Sequence, residues 1–135
     1  MKDRKGKTKN LRILLAVILL FVALNALVAG ALLIMDPTGS LLGMKTDLLK
    51  NGPLRDFTVP GHVLFHLFGL MNVLAFFLLL KNCSGARSLV MLQGVLLGIW
   101  ILVQMWILEQ INFLQLFMLL LGIVLFALAR RLERE

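Results

Sequence analysis

Residues 11–35 read LRILLAVILLFVALNALVAGALLIM, and this stretch decides the fold class. Only Arg12 and Asn25 interrupt the run, which ends at Asp36 and Pro37. A hydrocarbon core ~30 Å thick is crossed by about 20 helical residues, so the stretch predicts a transmembrane helix. The basic tail before it is also typical of a secretory signal. The run is, however, too long for the apolar region of about 7–15 residues in such a signal.

Three further apolar runs follow, over residues 62–80, 88–108 and 112–129. The last two are nearly continuous, and a single helix over both would be about 63 Å long, twice the hydrocarbon thickness. The chain must therefore reverse near residues 109–112. We predict an all-α, polytopic membrane protein, in which residues 1–135 form one membrane domain with four transmembrane helices and an external loop over residues 36–61.

The composition supports this prediction. Of the 135 residues, 60% are hydrophobic and 16% are charged, whereas a soluble domain has roughly 45–50% apolar residues. A compact protein of this size has too little interior for so many apolar side chains, so much of their surface must face lipid. This disfavours a soluble enzyme, a disordered chain and a nucleic-acid-binding domain, and the single cysteine excludes an internal disulfide. We expect no cofactor and no nucleic-acid partner.

Positive charges are divided unequally between the two sides of the predicted bundle. Eleven Lys and Arg residues share one side with the termini: Lys2, Arg4, Lys5, Lys7, Lys9, Arg12, Lys81, Arg87, Arg130, Arg131 and Arg134. Three lie in the predicted external loop: Lys45, Lys50 and Arg55. Because Lys and Arg are enriched on the cytoplasmic side of membrane proteins, we expect both termini in the cytoplasm.

The predicted external loop contains regular turn signals. Asp36, Pro37 and Gly39 are typical of a turn, and Ser40 is suited to cap a short helix that begins at residue 41. Asn-Gly-Pro at residues 51–53 would end that helix. We therefore expect an ordered loop containing a short helix, followed by a tight entry at residues 60–61 into the second transmembrane helix.

Four short motifs are spread over residues 35–128. They are Asp36-Pro37-Thr38-Gly39-Ser40-Leu41-Leu42-Gly43-Met44, Asp56-Phe57 with Pro60-Gly61, Gly98-Ile99-Trp100-Ile101-Leu102-Val103-Gln104, and Ile111-Asn112-Phe113-Leu114-Gln115 with Gly122. This pattern resembles a family of small, functionally uncharacterised bacterial membrane proteins with four spans. The resemblance implies a helix bundle in the bacterial inner membrane and carries over no activity. His62 and His66 lie outside the motifs.

Polar residues are concentrated near the external end of the predicted bundle. The candidate ligand-binding residues there are Asp36, Asp56, His62, His66, Gln104, Glu109, Asn112 and Gln115. Polar groups at membrane depth are costly unless they find partners or water. Two interpretations follow: an outward-facing polar vestibule that binds a ligand, and hydrogen bonds that join the helices.

The third predicted helix carries both polar and small residues at helical spacing. Gln93, Trp100 and Gln104 lie on one stripe. Gly94 and Gly98 form a Gly-x-x-x-Gly pair, which favours close contact with a neighbouring helix. We expect that neighbour to belong to the same chain.

His62 and His66 are one helical turn apart, a spacing that also occurs in zinc-binding helices. The residues between them include no Glu, so a further ligand would have to come from an acidic residue elsewhere at this end. Hydrogen bonds to the loop are the alternative role. For His66 we also consider a contact with Gln104 or Glu109.

Three classes of function remain open. The leading one is a non-enzymatic membrane protein that binds a lipid or another ligand, or that serves as an accessory subunit of a larger membrane complex. The second is a small homo-oligomeric transporter or channel, although charge-coupled carriers usually keep a charged residue near mid-membrane and this chain has none there. The third is a metal-dependent membrane enzyme that uses His62 and His66.

Overall fold

The computed structural model describes residues 2–42, 55–81, 83–108 and 113–133, with side chains for residues 9–41, 55–81, 83–106 and 113–132. The fold is all-α, as predicted. In chain order the elements are α1 (Lys2–Met35), a 3₁₀ turn (Ser40–Leu42), α2 (Thr58–His62), a π-helical segment (Val63–Leu70), α3 (Met71–Leu80), α4 (Ala86–Leu108) and α5 (Phe113–Glu133). The predicted reversal near residues 109–112 and most of the predicted loop helix lie outside the described residues.

Four helical stretches are long and apolar enough to cross a membrane, which confirms the predicted architecture. They are span 1 (Lys9–Met35), span 2 (Thr58–Leu80), span 3 (Ala86–Trp106) and span 4 (Phe113–Leu132). Their outer faces carry exposed apolar side chains such as Val28, Leu102 and Phe113. Faces of this kind are suited to lipid. We call the end where span 1 begins and span 4 ends the terminal end, and the opposite end the loop end.

Span 2 begins at Thr58, before the predicted start at residue 62. Pro60 and Gly61, the predicted tight entry into this span, lie within its first helical turn. Proline is tolerated there because the first N–H groups of a helix have no helical partner. The side chain of Asp56 accepts a hydrogen bond from the backbone N–H of Thr58 at 3.0 Å, which satisfies one of those groups.

The spans form a ring in which each packs against its neighbours in sequence, and span 4 closes against span 1. Spans 1 and 2 approach each other closely at Gly30, where an added Cβ would lie 2.6 Å from the backbone nitrogen of Phe65. Phe65 belongs to the π-helical segment. Spans 3 and 4 approach each other in the same way at Gly94 and Gly122, so the contact of Gly94 lies within the chain, as expected. Two closely packed helix pairs therefore make up the bundle.

The described residues form two apolar clusters in the interior, and Ile18 packs against both. The terminal-side cluster consists of Leu15, Ala16, Leu19, Ala75, Leu79, Ala86, Val90, Leu125, Ala129 and Leu132. The loop-side cluster consists of Val22, Ala26, Phe68, Leu97 and Ile101. Along spans 2 and 3, the positions between the clusters include the buried amides Asn72 and Gln93.

Candidate ligand cavity

A cavity of about 150 Å³ lies in the loop-side half of the bundle and is lined by residues from all four spans. It is open on one side. Its walls are Val22, Asn25, Ala26, Ala29, Leu64, Phe68, Leu97, Trp100, Ile101, Gln104, Leu114, Gln115 and Met118. The loop-side cluster therefore forms much of the inner wall.

The polar part of the wall comes from three different spans. Asn25 of span 1, Gln104 of span 3 and Gln115 of span 4 all line the cavity. Gln115 is buried, whereas Asn25 is exposed and its amide Nδ2 donates to the carbonyl oxygen of Phe21 at 2.9 Å. None of the described residues that line the cavity is acidic, basic or a histidine. This described part of the wall is thus neutral, with amide groups that both donate and accept hydrogen bonds.

Trp100 also belongs to this wall. Its indole Nε1 is buried and has no hydrogen-bond partner within the described part of the chain. The ring of Phe68 lies beside it, with ring centroids 6.1 Å apart. A buried donor without a partner is costly in an apolar environment, so an oxygen atom within hydrogen-bond reach of Nε1 would be favourable.

The histidines occupy a different surface. His62 and His66 are both exposed, and neither lines the cavity. Their rings are nearly parallel, and His62 Nδ1 lies 3.5 Å from His66 Nε2. The hydrogen bonds described for His66 do not include one to Gln104, and Glu109 lies outside the described residues.

The two aspartates accept hydrogen bonds at the two ends of the loop. The carboxylate of Asp36 accepts hydrogen bonds from the hydroxyl of Ser40 and from the hydroxyl of Thr38, the latter at 2.6 Å. These bonds hold the pKa of Asp36 below its ordinary value, with the Ser40 hydroxyl as the largest cause. The hydroxyl of Ser40, which was predicted to cap the loop helix, is therefore a donor to the carboxylate of Asp36. Asp56 accepts a hydrogen bond from the backbone N–H of Thr58 at the start of span 2, so the hydrogen bonds described for both aspartates lie outside the cavity.

The candidate residues are therefore divided among three places. Gln104 and Gln115 both line the cavity. The histidines lie on an exposed face, and the aspartates accept hydrogen bonds at the two ends of the loop. Asn112, like Glu109, lies outside the described residues. The described side chains contain no group of three or more His, Cys, Asp and Glu residues suited to hold a metal ion.

Two further cavity residues with polar groups, Asn25 and Trp100, lie outside the predicted set of ligand-binding residues. Asn25 interrupts the first apolar run, and a polar residue inside a predicted span is a signal for an interior or ligand-facing position. Trp100 lies on the same predicted stripe as Gln104. The sequence signal was present for both residues.

Comparisons with protein-family models, characterised proteins and solved structures gave no significant match to this chain.

Proposed function

We propose that the protein binds a bilayer lipid in the cavity at the loop end, with an ester or hydroxyl oxygen of the lipid accepting the indole N–H of Trp100. The buried, unpartnered Nε1 of Trp100 is the observation that carries the proposal. Gln104 and Gln115 line the same cavity and supply further amide groups. This is a binding role, because amides and an indole bind polar groups but are poorly suited to transfer protons.

The size and charge of the cavity restrict the bound group. A volume of about 150 Å³ is comparable to a cavity that holds one benzene-sized group. The cavity therefore suits a segment of an acyl chain with its adjoining ester, while the remainder of the lipid lies outside the open side. The neutral wall favours an uncharged part of the lipid.

The test uses the full chain in mild detergent and native mass spectrometry with added phosphatidylethanolamine. Trp100→Phe keeps an aromatic ring but removes the N–H, and we expect lipid binding to weaken about threefold to tenfold, the value of one hydrogen bond. Trp106→Phe is the matched control, because Trp106 is 72% exposed and does not line the cavity.

A diether analogue of the lipid separates the hydrogen bond from the fit of the chain. It lacks the ester carbonyls, so Trp100→Phe should affect its binding less than that of the ester lipid. Equal binding of the ester lipid by Trp100→Phe, Trp106→Phe and the unaltered protein would overturn the proposal.

A second candidate function is the binding of a transition-metal ion by His62 and His66. The two nitrogen ligands of a tetrahedral zinc ion, each about 2.0–2.1 Å from the metal, lie about 3.3 Å apart. The 3.5 Å between His62 Nδ1 and His66 Nε2 is close to that separation. Water would complete the coordination, since the two imidazoles supply only half of a tetrahedral set.

The measurement for this second candidate is titration of the purified protein with Cu²⁺ and Zn²⁺. Cu²⁺ should bind more tightly than Zn²⁺. His62→Ala and His66→Ala should each weaken binding at least tenfold, since each leaves a single imidazole. Unchanged affinity in the double variant would exclude the site.

For the setting of the protein, we propose the bacterial inner membrane, with the loop end outside and both termini in the cytoplasm. The eleven-to-three distribution of Lys and Arg supports the orientation. The motifs at residues 35–128 support the bacterial setting only by resemblance. The bilayer is the first partner in this proposal, and association with a second copy or a larger membrane complex would extend it.

A further inference from the structure

Two buried amides occupy the layer between the apolar clusters. Asn72 and Gln93 are each only 1% exposed. On span 2, Asn72 lies between Phe68 of the loop-side cluster and Ala75 of the terminal-side cluster. On span 3, Gln93 holds the corresponding position between Leu97 and Val90 of the same two clusters.

Their depths in the bundle agree. Asn72 precedes the end of span 2 at Leu80 by about 12 Å, at 1.5 Å per residue. Gln93 follows the start of span 3 at Ala86 by about 10 Å on the same basis. A short turn joins these antiparallel helices, which also pack against each other, so the two amides have similar depths in the bundle.

Three polar atoms in this layer have no hydrogen-bond partner among the described residues. The Nδ2 of Asn72 donates to the carbonyl oxygen of Phe68 at 2.7 Å, but its Oδ1 is unpartnered. Both Oε1 and Nε2 of Gln93 are also unpartnered. The layer therefore presents two acceptors and one donor group at a depth where lipid supplies no hydrogen bonds.

We propose that Asn72 and Gln93 bind one water molecule between the two apolar clusters. The water donates its two protons to Asn72 Oδ1 and Gln93 Oε1, and it accepts a hydrogen bond from Gln93 Nε2. Three hydrogen bonds are typical of a buried water molecule. A direct bond from Gln93 Nε2 to Asn72 Oδ1 would leave Gln93 Oε1 without a donor, so water satisfies the layer more completely.

The lipid cavity lies next to this water site on the loop side. Phe68 and Leu97 line the cavity, and each is one helical turn from one of the two amides. The hydrogen bonds of this water molecule do not involve the lipid, so the water binds whether or not a lipid occupies the cavity.

The direct test is nuclear magnetic resonance on the full chain in detergent, labelled with ¹⁵N-glutamine. The side-chain amide of Gln93, assigned by comparison with Gln93→Leu, should show a cross-peak to a long-lived water molecule. Asn72→Leu removes one acceptor of that water and should reduce or abolish the cross-peak. Gln104→Leu is the control, because Gln104 lies on the same span but at the cavity, and it should leave the cross-peak intact.

Thermal unfolding gives an independent measurement. Asn72→Leu and Gln93→Leu should each lower the unfolding temperature, and the double variant should lose less than the sum of the two single losses. Strict additivity would overturn the proposal. So would a Gln93 amide in the unaltered protein that shows cross-peaks to Asn72 but none to water, because it would show a direct amide pair.

Discussion

Gly94 and Gly122 face each other across spans 3 and 4 at a distance that leaves no room for a side chain. A Cβ added to Gly94 would lie 2.7 Å from the carbonyl oxygen of Gly122. A Cβ added to Gly122 would lie 2.9 Å from the carbonyl oxygen of Gly94. The contact involves backbone on both sides, so it cannot be relieved by a change of rotamer.

Gly94→Ala should therefore destabilise the bundle, by about 1–3 kcal/mol for overpacking of a close interface. Gly98→Ala is the matched control on the same helix, because its nearest contact would be Leu119 Cδ1 at 3.7 Å. Thermal unfolding in detergent should show a clear loss for Gly94→Ala and little change for Gly98→Ala. Equal losses would mean that helix packing at Gly94 is not specifically close.

The turn at Asp36 should respond to acid in a defined direction. Its hydrogen bonds lower the pKa of the folded state, so the charged carboxylate stabilises the turn above the ordinary aspartate pKa, and this stabilisation is lost as pH falls through the lowered value. Carboxyl ¹³C titration should show a low midpoint for Asp36. Ser40→Ala should raise that midpoint more than Thr38→Val does, since the Ser40 hydroxyl has the larger effect.

We expect Phe57 to fix the last residues of the loop to its first residues at Pro37. Its backbone N–H donates to the carbonyl oxygen of Pro37 at 2.9 Å, and its side chain is buried. Phe57→Ala should cost about 3–5 kcal/mol if the site does not collapse, as for other buried aromatic residues. Limited proteolysis should then cleave near residues 36–57 sooner, whereas Val59→Ala, at an exposed position nearby, should leave the cleavage rate unchanged.

Orientation can be tested with cysteine labelling in intact cells. A variant with Cys83→Ser and Thr46→Cys should react with a membrane-impermeant maleimide added from outside, because the loop end is proposed to face outward. The exposed native Cys83, in the turn between spans 2 and 3, should react only after the cells are opened. The reverse pattern would invert the orientation.

The helices were predictable because apolar runs of this length have one stable form in a bilayer. The start of span 2 at Thr58 was not predictable, because Pro60 is equally compatible with a turn before a helix and with the first turn of a helix. The π-helical segment was not predictable either. Its backbone hydrogen bonds differ from those of an α-helix, but its apolar sequence is equally compatible with an α-helix.

The candidate site was predictable only in part, because polarity indicates depth but not rotation about the helix axis. Gln104 and Gln115 face the cavity, whereas His62, at the same end, is exposed. The rotation of span 2 depends on its close approach to span 1 at Gly30 and Gly61. A three-dimensional contact of that kind leaves no periodic signal in a single sequence.

The arrangement of the bundle as two helix pairs has a consequence for its synthesis. The ribosome completes spans 1 and 2 first, and the close contact at Gly30 requires nothing from the second half of the chain. During that interval Asn72 is in place without Gln93. The second pair then brings Gln93, the other buried amide, to a similar depth, so the polar groups at this depth are complete only when both halves of the chain have been inserted.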